Sequence, residues 1–129
     1  MSRGGRALRA GQKGSGTVLV AGALTLAMVV AGAVLVVSGY VVAVHHARAA
    51  ADLAALSGAS AHGRGQDACG AAGRVATANR VRLAACRVRG DSFDVVVSVT
   101  VERRVAGPSA VLPGKVGATA HAGRLGRLQ

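Results

Sequence analysis

The sequence predicts a membrane-anchored α+β protein, in which a long N-terminal transmembrane helix extends into a small head of one helix packed on a three-stranded antiparallel sheet. Three observations carry that expectation. Residues 15–44 (SGTVLVAGALTLAMVVAGAVLVVSGYVVAV) run for thirty positions without a charge. The stretch FDVVVSVTVER at 93–103 alternates with a period of two. Two cysteines, Cys69 and Cys86, fall one in an expected head helix and one in an expected strand.

The uncharged run comes first. About 20 predominantly apolar residues at 1.5 Å rise cross a hydrocarbon core of ~30 Å, so 15–44 is long enough to span. It passes without proline into HHARAAADLAALSGA, where alanine, leucine and the pair Arg48 and Asp52 at i and i+4 still favour helix. One helix of roughly forty residues is expected, its last third in water. Upstream stand Arg3, Arg6, Arg9 and Lys13, whereas Arg48 and Arg64 are the only arginines or lysines soon after the run. That asymmetry keeps the N-terminus in the cytoplasm and exports the head, making a single-pass protein of the cell membrane. A cleavable secretory signal is the rival reading, with AxA-like sites near Ala49 and Ala59. Its apolar region would be about 7 to 15 residues, half of this one. The chain thus divides into a basic cytoplasmic tail (1–14), the span (15–44), an extracytoplasmic helix extension (45–59), the head (60–122) and a flexible tail (123–129).

Small residues recur at four-residue spacing: Ala23, Ala27 and Ala31, then Gly39, Ala43, Ala47, Ala51 and Ala55. In lipid such rows let helix backbones approach and gain packing contacts, which points to lateral assembly. An alanine-rich composition also generates such rows, and a four-residue step turns 400°, so the row drifts about 40° at each step. His45 and His46 lie where the helix leaves the membrane. Adjacent helical positions diverge by about 100°, which suits interfacial anchoring rather than joint metal ligation.

The motif Lys13-Gly14-Ser15-Gly16-Thr17-Val18 followed by an unbroken apolar helix resembles the N-termini of TadE-like and TadG-like proteins. These are pilin-like accessory proteins of Flp pilus assembly, the Tad branch of type IV pilus-like machinery. The continuation Arg48-Ala49-Ala50-Ala51-Asp52-Leu53-Ala54-Ala55-Leu56 is similar to the segment that follows their membrane helix. The layout resembles most the short actinobacterial TadE-like proteins of secretion gene neighbourhoods. The resemblance implies partners among pilin-like or secretion-system membrane subunits, and a prepilin peptidase that cuts after the glycine preceding the helix. The candidate bonds are Gly14 to Ser15 and, second, Gly16 to Thr17. In that family a Glu sits five residues beyond the cut and is thought to pair with a neighbour's new N-terminal ammonium. Counting from Gly14, Leu19 stands there and supplies no such charge.

In the head, the Gly and Ser content of 57–66 reads as helix stop and loop. Asp67 caps a second helix over 68–83, with Ala68, Ala71, Ala72, Val75, Asn79 and Leu83 on one stripe. A short strand over 85–89 places Cys86 and Val88 on one face, Arg87 and Arg89 on the other, before the turn Gly90-Asp91-Ser92. In the next strand Phe93, Val95, Val97, Val99 and Val101 share a face, the pattern of a half-buried antiparallel strand. Gly107-Pro108 and Pro113-Gly114 make 103–115 a loop, and a third strand follows over 116–122.

A Cys69–Cys86 bridge would tie helix to sheet and suits export to an oxidising side. Two buried free thiols, or a metal pair completed by His62 or His121, are the rival uses, though the spacing matches no four-ligand zinc pattern. No P-loop, GxSxG, HExxH or CxxC is present, and Asp94 and Glu102 lie about 26 Å apart along one strand, too far to act on one bond. The sequence therefore points to no enzyme, cofactor or metal site. Its formal charge of +11 raises nucleic acid as a partner, but Tyr40 and Phe93 are the only aromatics and offer no stacking platform. The reading is a pilin-like accessory component that acts by helix packing and display of its head. The alternative is a membrane-tethered basic module that binds anionic cell-wall polymer or extracellular DNA through Arg74, Arg80, Arg82, Arg87 and Arg89.

Overall fold

The structure is a computed structural model that describes residues 14–90, 94–105 and 114–124. Its elements are α1 (Ser15–Gly63), α2 (Ala68–Ala78), β1 (Arg82–Gly90), β2 (Val95–Arg104) and β3 (Lys115–Arg124). The chain divides into two compact units, Met1–Ser38 and Gly39–Gln129.

The described part of the first unit is helix alone. From Ser15 to Ser38 every side chain of α1 is exposed, including Leu19, Met28 and Leu35. Twenty-four residues at 1.5 Å rise give about 36 Å, enough to cross a bilayer core of ~30 Å. The protein is membrane-anchored through this long apolar helix.

The second unit is the head, and α1 is part of its core. Ala43, Ala47, Ala50, Ala51, Ala54, Ala55, Gly58 and Ala61 are buried, spaced one, three and four apart as one face of a helix requires. The pure four-residue row drifts off its face; the alternation of steps holds it there. The helix runs past the expected stop to Gly63. Gly58 does not break it, because its missing Cβ is what permits contact: a Cβ there would lie 3.0 Å from Val97 Cγ1 and 3.1 Å from the Ala68 carbonyl oxygen. The helix ends in a Schellman motif instead. Gly65 takes φ 72°, its N–H donates to the His62 carbonyl, and the Gln66 N–H donates to the Ala61 carbonyl.

Asp67 caps α2 as its side chain predicts, accepting from the Cys69 N–H at 3.1 Å. This helix stops at Ala78 rather than continuing to residue 83. The Asn79 side-chain amide folds back to donate to the Val75 carbonyl, and Arg80 turns into the left-handed region at φ 56°. The Arg80 N–H then donates to the Thr77 carbonyl and the Val81 N–H to the Ala76 carbonyl, a second Schellman motif with arginine where glycine is usual. Val81 and Ala76 are both buried, the apolar contact that accompanies the motif.

The sheet has the order β1-β2-β3, antiparallel throughout. On β2, Val95, Val97, Val99 and Val101 are buried against α1 and α2, as the alternation predicts. Phe93, Asp91, Ser92 and the loop residues 106–113 lie outside the described residues, as does the tail beyond 124. β1 begins three residues earlier than expected because the register shifts between Leu83 and Ala85. That bulge puts Leu83 and Cys86 on the same face although they are three apart. On β3, Val116, Ala120 and Ala122 turn to the core. The other face of the sheet is a ladder of polar cross-strand pairs: Arg82 with Glu102, Thr100 with Thr119, and Ser98 with His121.

Candidate functional site

Cys69 and Cys86 form a disulfide with Cα atoms 5.8 Å apart. It joins the first turn of α2 to β1, closing a loop of 17 residues, and in so small a head contributes about 3 kcal/mol by chain entropy. Neither sulfur is left for a metal, and among the described residues no three of His, Cys, Asp and Glu gather as ligands. His121 lies on the open sheet face with Nδ1 2.8 Å from Ser98 Oγ. His46 is half-buried and bonded to the second helix, with Nε2 2.9 Å from the Asn79 carbonyl oxygen.

The structure divides the row of small residues. Ala43, Ala47, Ala51 and Ala55 are taken up inside the chain's own head. The second half of the row thus serves an internal interface rather than a contact with neighbouring helices, because alanine lets the sheet and α2 approach the helix closely. Ala23, Ala27, Ala31 and Gly39 belong to the exposed part of α1. At its start, the Gly14 carbonyl accepts from the Val18 N–H at 3.4 Å, so the bond from Gly14 to Ser15 sits at the helix boundary. Gly16 and Thr17 lie within the first turn.

The arginines proposed as one anion-binding set do not form one patch. Arg74 is exposed on α2, while Arg87 and Arg89 sit on the outer face of β1 opposite Ser98 and Val96. Arg80 and Arg82 instead join Arg103 and Arg104, which end β2 rather than open a loop, and Lys115, which begins β3. Together with Thr77, Val81 and Glu102 they line an open cavity of about 730 Å³. Glu102 binds Arg82 at 2.6 Å. The Arg82 hydrogen bond and charge hold the Glu102 carboxyl below its usual range, Lys115 adding to the effect against a small opposing cost of desolvation. Among the described residues this is the only ion pair. The sequence signal that could have found the group is the pairing of strand ends, which places Arg104 beside Lys115 and Arg82 beside Glu102.

The fold and these features define a class: a membrane-anchored protein whose one apolar helix carries a small, disulfide-tied α+β head. Residues 14–61 match the Tad family of Flp pilus-assembly TadE/G-like proteins. The matched segment and α1 nearly coincide. No curated protein and no solved structure matches the chain.

Proposed function

We propose that the protein is a component of a Flp/Tad pilus-like or secretion assembly, acting by lateral packing of the exposed part of α1 and by display of its head on the extracytoplasmic side. One observation carries this reading. Within a single TadE/G-like helix, the second half is packed to alanine tightness by the head, while large apolar side chains of the first half have no cover in the monomer. In lipid, helix association comes from close packing, and Ala23, Ala27, Ala31 and Gly39 provide small surfaces for it. The role needs no turnover of a substrate. A prepilin peptidase would act at Gly14 to Ser15 in preference to Gly16 to Thr17, since a bond at the helix boundary is easier to extend into a protease than one within the first turn. The test is co-purification from the native membrane with pilin-like subunits, together with the mature N-terminus and intact mass. Recovery of such subunits that is lost in Ala27→Leu supports the proposal; recovery of none, or recovery indifferent to α1, sinks it.

A further inference from the structure

The cationic cavity is placed at a definite height on the head. Val116, next to Lys115, and Val105, next to Arg104, belong to the small apolar cluster around Ala43 and Ala47, with Tyr40 packed against it. The cavity therefore lies at the end of the head where α1 reaches Tyr40, which is also where the uncharged run gives out at Val44. Tyrosine is a side chain that settles at membrane–water interfaces, and His45 and His46 are the first charge-capable residues beyond it. Five cations face one carboxylate there, a surplus of four positive charges, and Glu102 is already bound to Arg82.

We propose that Arg80, Arg82, Arg103, Arg104 and Lys115 form a collar that binds the phosphates of anionic phospholipid headgroups in the bilayer that α1 enters. Guanidinium groups meet phosphate oxygens with two parallel hydrogen bonds, and their aliphatic stems lie along apolar surface while the charge reaches the phosphate plane. Juxtamembrane cations gain from a negative bilayer surface only within about a Debye length, which the height of this collar provides and that of Arg89, at the other end of β1, does not. The inference rests on α1 being the membrane anchor. It goes beyond assembly by giving the head its own contact with lipid, one that would fix its height and tilt.

The test uses the full chain in phosphatidylcholine nanodiscs with and without phosphatidylglycerol, reading retained lipid by native mass spectrometry after partial delipidation. Phosphatidylglycerol should be retained preferentially. The triple variant Arg103→Gln, Arg104→Gln, Lys115→Gln should lower that retention by about tenfold or more, as several juxtamembrane cations imply. The equally discharged control Arg74→Gln, Arg87→Gln, Arg89→Gln should retain it nearly as the wild type does. No preference in the wild type, or an equal loss in both variants, overturns the collar. Binding of a short DNA duplex that depends on the collar, without any phosphatidylglycerol preference, overturns it in favour of a nucleic-acid surface. Failure of the wild-type chain to float with liposomes would overturn the anchor itself, a result distinct from flotation without lipid preference.

Discussion

His46 on α1 donates through Nε2 to the carbonyl oxygen of Asn79, the residue that caps α2, at 2.9 Å. A carbonyl can only accept, so the proton on Nε2 is set by its partner. The bond satisfies one of the carbonyls that a helix C-terminus leaves without an internal partner, and it pins the end of α2 to the anchor helix. Replacing His46 by Ala should destabilise the head by about 1 kcal/mol, the usual net worth of such a bond. His46→Gln, which keeps a donor, should recover part of it. Thermal unfolding in detergent micelles checks both.

Reduction or the double substitution Cys69→Ser, Cys86→Ser should lower head stability by about 3 kcal/mol. The oxidised protein should be two hydrogens lighter by intact mass than the reduced one, with no thiol open to alkylation before reduction.

Leucine substitutions separate the two halves of the alanine row. Ala51 is completely buried, so Ala51→Leu overpacks the head at a cost of about 1–3 kcal/mol. Ala27 is exposed, and Ala27→Leu should leave the melting of the head unchanged while weakening association with neighbouring subunits. Equal melting shifts in the two variants would contradict the division of the row.

The Arg82–Glu102 pair gives the head a weak acid dependence. The folded pKa of Glu102 lies below its ordinary value of 4.5, so the pair's contribution is fully present above that value and is lost as pH falls through the folded pKa. Both side chains are open to solvent, so the effect is small and screened by salt. Stability differences between wild type and Glu102→Gln should therefore be greatest near neutral pH at low salt and close as the solution is acidified.

Much of this architecture can be read from residue order because single side chains announce it. Asp67 marks the start of α2, the alternating valines of β2 mark its buried face, and the uncharged run marks the anchor. The features that escape depend on backbone choices no residue type advertises. Arg80 adopts a left-handed conformation usually given to glycine, which ends α2 early and frees residues 82–84 for β1. The bulge before Ala85 breaks the period of two, so Leu83 does not read as part of the strand. Gly58 and its serine neighbours look like a helix stop, but the glycine meets Val97 and Ala68 at close range. The cationic cavity collects the ends of three strands and a turn, which only the register brings together.

The alanine floor beneath the sheet bears on the fate of the polypeptide. Ala50, Ala51, Ala54 and Ala55 are each at most 1% exposed and support Val97, Val99 and Val101. A signal-peptidase cut near Ala59 would remove that floor from the head and leave the inner valines facing water, whereas a cut near Ala49 would take away only Ala43 and Ala47. Proteolysis near Ala59 would yield a fragment that unfolds rather than a free domain, so there release and loss of structure would be the same event.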